Sequence, residues 1–540
     1  MRKTVSTIAL SCALAAGVLA AAPATAQEAG PARPNILLII ADDVGLDVTP
    51  GLYPGLADRL LELYGPRGHD HPEYREIDGK PASMPVLDRF ASEGMVFTDA
   101  WAQPYCSPTR ASLLTGLFAS NTDVLTYADA LSQDHDSFVR TLGTRGGFST
   151  AVFGKWHMAG LPGKPRDYPG MKPKEAGFEL FRGNMHAALP SFWQYPEHIQ
   201  DDQTPPGEWR TEDPRARSLS GIAPTTYAPV VKAADTIDWI RERERADPDK
   251  PWFAWLAFNL SHATAAQRQG SQMIVPNADT LDETTRREME ECGGTFGTNQ
   301  VGSCSGEALM RAMTNSMDTI IGRILDAVDQ LDPNTYVIFV SDNGTPMYGR
   351  PQLDFIDNLY ITRSGRGKGT PFESGARVAL AIRGPGIEAG SASNEFVHVA
   401  DLFPTILEMA GLPVPETVAG GDGRSAVPLD GVSLMPILSG REESVRDPRR
   451  GFILTESVDL LKDSRKVVGA RNARFKLVCT DSADNCAFYD LQSDPLEEYP
   501  LEAPASCEEA TAARSRDDPA WDYCHLAGIV ASRSILKEST

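Results

Sequence analysis

Three stretches of the chain are apolar at nearly every position: Asn35-Ile36-Leu37-Leu38-Ile39-Ile40, Pro251 to Leu260, and Thr335-Tyr336-Val337-Ile338-Phe339-Val340. A strand with one buried face alternates apolar and polar residues, whereas a strand covered on both faces reads as a continuous apolar run. These stretches therefore predict buried strands of an α/β fold. Shorter strands are predicted at Met95 to Thr98 and from Gly146 to Phe153. The opposite periodicity runs from Glu307 to Leu331. There Leu309, Met313, Met317, Ile320, Ile324, Val328 and Leu331 recur at helical spacing and mark one buried stripe, so the methionines belong to the core. Ser83 to Gly94 reads as a helix capped by Ser83, with Pro85 in its first turn and Gly94 at its end. Asp401 to Gly411 reads as another capped helix, and Leu56 to Leu63 as a short one. Segments 49–82 and 160–230 carry no such period and read as loops, the second with short helices. Segment 263–305 reads as irregular, and 412–450 as a linker and crossover. Near the C-terminus, Phe475 to Val478 and Ala487 to Leu491 predict antiparallel strands.

A chain of 540 residues is long enough for a large core and more than one domain. The first 26 residues have the form of a secretory signal. Arg2 and Lys3 precede an apolar run that ends at the cleavage-site pattern Ala24-Thr25-Ala26, and the run is too short for a membrane anchor. The predicted organisation is a signal peptide at 1–26, a catalytic domain at 27–440 and a smaller C-terminal α+β subdomain at 441–540. The implied destination is the periplasm or the exterior. Losing Arg2 and Lys3 with the signal takes the basic residues from 51 to 49 against 73 acidic, and the net charge from −22 to −24. That balance disfavours nucleic acid and general polyanion binding, so attraction for an anionic substrate has to be local. Of eight cysteines, Cys12 leaves with the signal and Cys106 stands apart. The remaining six suit disulfides in an oxidising compartment, and the simplest pairing joins neighbours: Cys292 with Cys304, Cys479 with Cys486, and Cys507 with Cys524.

The chemistry clusters at strand ends. Asp42 and Asp43 follow the first apolar run, and Asp342 and Asn343 follow the third. Ligands of α/β sheets bind just beyond the carboxyl ends of strands, and adjacent carboxylates there repel unless a cation joins them. All four are hard oxygen donors, which suit Ca²⁺ or Mg²⁺ and disfavour zinc. Cys106 precedes Pro108, which suits the first turn of a helix that Gly116 ends; an anion is favoured at such an N-terminus, and Arg110 lies near one turn on. Lys155 and His157 alternate on an extended segment, so both face one side. His69-Asp70-His71 reads as part of a solvated loop. Phe192, Trp193, Tyr195 and Trp209 read as packing beneath loops.

Cys106-Ser107-Pro108-Thr109-Arg110 followed by Ala111-Ser112-Leu113-Leu114-Thr115-Gly116 resembles the signature of the formylglycine-dependent sulfatases, a branch of the alkaline phosphatase superfamily that includes bacterial arylsulfatases. Gly147 to His157 resembles that family's second signature, G-x-x-T-x-x-x-G-K-W-H. Lys368 to Arg377 resembles K-x-x-x-x-E-G-G-x-R, with Ser374 replacing one glycine. Asp494-Pro495-Leu496-Glu497 resembles the D-P-x-E turn that follows a Y-D-L strand. Ser261-His262-Ala263-Thr264 keeps the histidine of a P-H-x-P segment and lacks both prolines.

The resemblance implies an alkaline phosphatase-like fold: a large mixed, mostly parallel sheet flanked by helices, with a smaller antiparallel-sheet-plus-helix domain after it. It implies that Cys106 is oxidised to formylglycine by a dedicated generating enzyme. It also implies Ca²⁺ held by Asp42, Asp43, Asp342, Asn343 and residue 106. In the implied mechanism, a hydroxyl of the hydrated aldehyde attacks sulfur, steadied by Arg110, with Asp342 taking the proton. Lys155 and Lys368 neutralise sulfate oxygens, and His262, with Lys368, protonates the leaving alcohol. His157 then takes the second hydroxyl's proton. The implied substrate is a sulfated small molecule or glycan. A phosphonate monoester or phosphodiester hydrolase on the same scaffold is the alternative reading. An inactive glycan-binding relative is disfavoured, because every catalytic position that aligns is filled.

Overall fold

The computed structural model describes residues 33–64, 81–162, 168–205, 207–265, 272–346, 366–421, 423, 424, 426–459, 464–507 and 519–537. The expected signal peptide and the His69-Asp70-His71 stretch lie outside the described residues.

The three apolar runs are adjacent strands at the centre of one sheet. In chain order its strands are β1 (Asn35–Ala41), β2 (Met95–Trp101), β3 (Ser149–Lys155), β4 (Leu180–Asn184), β5 (Glu197–Gln200), β6 (Arg210–Glu212), β7 (Trp252–Ala257), β8 (Thr335–Ser341), β9 (Leu380–Arg383) and β10 (Ser391–His398). Their spatial order is β10-β2-β9-β8-β1-β7-β3-β4-β5-β6. β1 pairs in parallel with β8 on one side and β7 on the other, in registers such as Ile36 with Tyr336 and with Phe253. β9 runs antiparallel to both β8 and β2, so β2 runs with the central group. As a result β2, β8, β1, β7 and β3 all deliver their carboxyl ends to the same edge.

The helices are α1 (Leu56–Tyr64), α2 (Pro85–Glu93), α3 (Cys106–Thr115), α4 (Phe138–Thr144), α5 (Ala228–Ala246), α6 (Glu283–Glu291), α7 (Gly306–Leu331), α8 (Leu402–Met409) and α9 (Pro519–Arg533). Because successive strand residues face opposite ways, Leu37 and Ile39 pack with α2, α5 and α7 on one face, and Ile36, Leu38 and Ile40 with α3, α4 and α8 on the other. This two-sided burial is why β1 carries no polar residue between Ile36 and Ala41.

A second, antiparallel sheet follows: β11 (Ile453–Asp459), β12 (Arg465–Arg471), β13 (Phe475–Thr480) and β14 (Cys486–Asp490), paired in that order. Leu454, Val468 and Leu477 of this sheet pack with Leu526 and Val530 of α9, and the same apolar cluster takes in Trp101 and Phe396 of the large sheet. Disulfides join Cys292 to Cys304, Cys479 to Cys486, and Cys507 to Cys524, the neighbour pairing. Cys106 is the one free cysteine among the described residues.

Three local expectations change. Segment 160–230 adds β4, β5 and β6 to the sheet, and 263–305 contains α6. The cap of α2 is not Ser83: Met84 occupies the N-cap, and the Asp318 carboxylate on α7 accepts from the N–H groups of Val86 (3.0 Å) and Leu87 (2.8 Å). The free donors of the helix start are satisfied from a neighbouring helix rather than from the local sequence.

Candidate active site

Five parallel strands end at one edge, and the residues just beyond them converge. β1 leads into Asp42 and Asp43, and β8 into Asp342 and Asn343. β3 ends on Lys155, with His157 two residues on. Beyond β7 comes His262, and a short turn after β2 places Cys106 at the first position of α3. Cys106 and Arg110 are buried there, and Gly116 closes the helix with φ 72°.

The carboxylates are held in three buried pairs. Lys155 Nζ donates to both oxygens of Asp42 at 2.8 and 2.7 Å. Arg110 donates from Nη2 (2.8 Å) and Nε (3.2 Å) to Asp342 Oδ2, and its Nη1 donates to the Lys155 carbonyl at 2.6 Å. Lys368 Nζ donates to Asp43 Oδ1 and lies 3.7 Å from Cys106 Sγ. Asp43 has φ 62°, and its N–H donates to Asp342 Oδ1 at 3.2 Å, which ties the two acidic strand ends together. Asn343 Nδ2 donates to Asp43 Oδ1 at 2.8 Å. Single ligand atoms of Asp42, Cys106 and Asp342 lie within 4.8 Å of one another.

Electrostatics follow from this crowding. Burial, then the neighbouring Asp42 charge, pushes Asp342 up to about 6 against the pull of Arg110. Burial also raises Asp42, although Lys155 opposes it. For Asp43, burial is outweighed by Lys368, His262 and Lys155, which hold its carboxyl well below the usual range. Burial raises the Cys106 thiol despite Lys155 and Lys368. His262 is held down to about 3, first by burial and then by the two lysines, with Asp43 acting in the opposite direction. His157 is lowered well below its ordinary value by burial, Lys155 and His186.

Two buried polar atoms of the cluster have no hydrogen-bond partner: Asn343 Oδ1 and His157 Nδ1. Atoms of this kind call for a partner, whether a water, an ion or a ligand. His157 Nε2 donates to the Tyr127 carbonyl at 2.9 Å, so Nδ1 holds the free lone pair. The histidine loop keeps its place without prolines. Ser261 N–H donates to the Asp42 carbonyl (2.5 Å), Ser261 Oγ meets Thr314 Oγ1 of α7 (2.8 Å), and His262 Nδ1 donates to the Ala263 carbonyl (2.6 Å). His262 Nε2 then faces Asp43 Oδ2 at 3.7 Å.

All ten sequence-predicted residues, Asp42, Asp43, Cys106, Arg110, Lys155, His157, His262, Asp342, Asn343 and Lys368, meet in this cluster. Arg377 has a different setting. It donates from Nε to the Thr98 carbonyl at 2.8 Å and pairs with Glu373 and Asp99. Two contributors carried no recognisable signal. Thr345 Oγ1 accepts from Gly45 N–H (3.1 Å) and donates to Asp47 Oδ1 (2.5 Å), clamping the two strand-end turns. His186 stands with its ring centroid 5.8 Å from that of His157. The order Gly45, Asp47, Thr345 hints at the clamp only once β1 and β8 are known to be neighbours.

A sheet edge with acidic turns, buried lysines and a free cysteine at a helix N-terminus suits the hydrolysis of anionic esters, on an alkaline phosphatase-like scaffold. The sulfatase family model matches residues 34–412, and that for the C-terminal part of N-sulphoglucosamine sulphohydrolase matches 367–513. The chain belongs to the sulfatase family and is a sulfuric ester hydrolase. It is 27% identical to human N-acetylgalactosamine-6-sulfatase over 76% of this chain and 67% of that one. It is also 27% identical to bovine arylsulfatase A, over 91% and 86%. Among solved structures, a sulfatase from Pseudoalteromonas sp. (PsFucS1) superposes with a TM-score of 0.58 at 19% identity, over 87% of this chain and 86% of that one. The phosphonate monoester hydrolase of Agrobacterium radiobacter superposes with a TM-score of 0.53 at 22% identity, over 89% and 93%. At that identity the shared feature is the fold.

Proposed function

We propose that this site cleaves aryl or carbohydrate sulfate esters with residue 106 as nucleophile, after oxidation of Cys106 to formylglycine by a formylglycine-generating enzyme. Asp42, Asp43, Asp342, Asn343 and residue 106 hold a divalent cation, Ca²⁺ or Mg²⁺. The donor set fits such an ion. The side chains beside residue 106 offer hard oxygens, Asn343 Oδ1 is a buried acceptor with no partner, and Asp42 and Asp342 repel each other in a buried space. When bound, the cation supplies Lewis-acid polarisation, and the hydrated aldehyde supplies a hydroxyl in place of the thiol.

The chain's own residues do the remaining work. Arg110 fixes Asp342, which accepts the nucleophile's proton. Lys155 and Lys368 exchange part of their hold on Asp42 and Asp43 for the sulfate oxygens, where charge develops. The arriving sulfate also offsets the two ammoniums that hold His262 down, so that Nε2 carries a proton for the leaving alcohol. His157 Nδ1, buried and free, receives the proton released in the second half-reaction. The reading rests above all on one observation: nine polar side chains from five strand ends and one later loop gather around a single buried, free cysteine.

The signal at 1–26 and three disulfides support export to the periplasm or beyond. No helix among the described residues is long and apolar enough to cross a membrane. Protein co-produced with a formylglycine-generating enzyme should turn over para-nitrophenyl sulfate faster than bis-para-nitrophenyl phosphate. Cys106→Ala should abolish turnover with an unchanged circular dichroism spectrum. A preference for the diester, or activity retained by Cys106→Ala, would contradict the reading.

A further inference from the structure

The sulfate end of the site is charged and closed, and the adjoining surface is neither. Past the end of β3, the N–H groups of Trp156 and His157 donate to the carbonyls of Asn184 (2.9 Å) and Met185 (3.1 Å), so the chain leaving β4 stays against the His157 turn. This brings His186 beside His157, and behind His186 opens a cavity of about 260 Å³. Its walls include Tyr168, His186, Ala188, Leu189, Pro190 and His198, with two further prolines.

We propose that this cavity receives the alcohol portion of the substrate, and that it selects an uncharged flat ring, as in an aryl sulfate, over a sugar carrying a carboxylate or a second sulfate. This rests on the sulfatase reading of the neighbouring site. Five observations support it.

His186 lines the cavity and its ring stands beside that of His157, so the cavity is the space next to the His157 turn. No Lys, Arg, Asp or Glu lines it among the described residues. Two larger cavities among the described residues, of about 680 and 530 Å³, are each lined by several arginines and at least one carboxylate. Its polar side chains are engaged in holding the loop: Asn184 Nδ2 donates to the His186 carbonyl at 2.5 Å, and His198 Nδ1 accepts from Met185 N–H at 3.3 Å. Among the described residues, what remains facing inward is proline, aliphatic and ring surface, with Tyr168 edge-on to His198 at 6.2 Å and Trp209 packed against both. Burial lowers His198 to about 4 and lowers His186 as well, which disfavours the charged form of both rings. Finally, pockets for drug-sized ligands measure about 300–1,000 Å³, and this one lies just below that range, so it takes one ring system rather than a run of sugars.

An unpaired carboxylate forced into such a wall loses its water without gaining a partner. The wild-type enzyme should therefore bind the sulfate of methyl para-hydroxybenzoate with a KM at least about tenfold below that of the matched sulfate of para-hydroxybenzoate, which differs by one exposed charge. Ala188→Phe, which fills the cavity from a half-exposed wall position, should raise KM for para-nitrophenyl sulfate about tenfold or more, the scale on which pocket shape discriminates. Inhibition by inorganic sulfate, which needs only the charged end, should be unchanged in that variant. If Ala188→Phe fails to fold, the wild-type substrate pair decides the matter alone. Equal KM values for the pair, or an unaltered KM in a folded Ala188→Phe, would overturn the proposal and leave the sulfatase reading standing. No turnover of any sulfate ester by the formylglycine-bearing wild type would overturn both.

Discussion

Lys368 and Lys476 are both buried against carboxylates, and the contrast between their settings separates the proposed catalytic cluster from a structural one. Lys476, on β13, pairs with Glu373 Oε1 at 3.1 Å and Glu497 Oε1 at 2.6 Å, and its ammonium lies 4.1 Å from the centre of the Trp101 ring. Glu497 Oε2 accepts from Glu373 N–H at 2.7 Å, and Arg377 lies 3.6 Å from Glu373 Oε2. Each carboxylate oxygen there lies near a cation or accepts from an N–H group, although Glu497 Oε1 is paired by charge alone and makes no hydrogen bond, and the cluster ties the small sheet to the segment that carries Lys368. Lys368 instead bridges Asp43 and Cys106 Sγ, beside two buried polar atoms, Asn343 Oδ1 and His157 Nδ1, that make no hydrogen bond. Buried charge alone does not mark a reaction centre. What sets the Lys368 cluster apart is that its buried charges gather around a free cysteine.

The sharpest way to break this comparison is to remove each lysine. Lys368→Ala should lower kcat/KM about 10²–10³-fold, the scale of losing one preorganised electrostatic donor, with little change in melting temperature of the metal-loaded enzyme. Lys476→Met should do the reverse. It should cost about 3–5 kcal/mol in urea unfolding, because two carboxylates are left buried without their cation, while the folded fraction keeps most of its activity. Similar activity losses in both variants would erase the distinction.

Metal removal probes the same contrast. Treatment with a chelator should abolish activity, and restoring Ca²⁺ or Mg²⁺ should raise the unfolding free energy by about 2.7 kcal/mol at a hundred times the dissociation constant. That gain should vanish in Asp342→Ala and persist in Lys476→Met.

The smallest effect concerns pH. Glu456 on β11 is buried and accepts from the N–H groups of Ser120 (2.9 Å) and Ile535 (2.8 Å), and burial pushes it up to about 7 from 4.5. Between these values the folded protein holds a proton that the unfolded chain has released, so this contribution to stability is full below about 4.5 and is lost as pH rises through about 7. Glu456→Gln should flatten the stability profile across that window, as read by urea midpoints at successive pH values. An unchanged slope would remove Glu456 from the account.

The charged end of the site was legible in the sequence because its residues sit at fixed offsets from apolar runs and from a helix start. Asp42 and Asp43 follow β1, Asp342 and Asn343 follow β8, and Lys155 ends β3. The strand runs themselves were legible because burial on both faces leaves no polar interruption. The far side of the sheet was not. β6 is Arg210-Thr211-Glu212, an edge strand with no apolar face to give a period, and in α6 only Thr285 and Met289 are buried. The α2 cap was misassigned to Ser83 because the actual acceptor, Asp318, lies more than two hundred residues away, and no local pattern encodes it. His186 was invisible for the same reason. Its place beside His157 depends on β4 pairing with β3, and a lone histidine in an unpatterned loop carries no spacing to read.

The central claim is that residue 106 acts as formylglycine and not as a thiol. The most direct measurement is the mass of the tryptic peptide carrying residue 106, taken from protein purified from a host with an active formylglycine-generating enzyme. The account predicts the mass of the aldehyde, in a fraction that rises in step with specific activity across preparations. A peptide that carries only cysteine, in protein that nonetheless turns over sulfate esters, would contradict it.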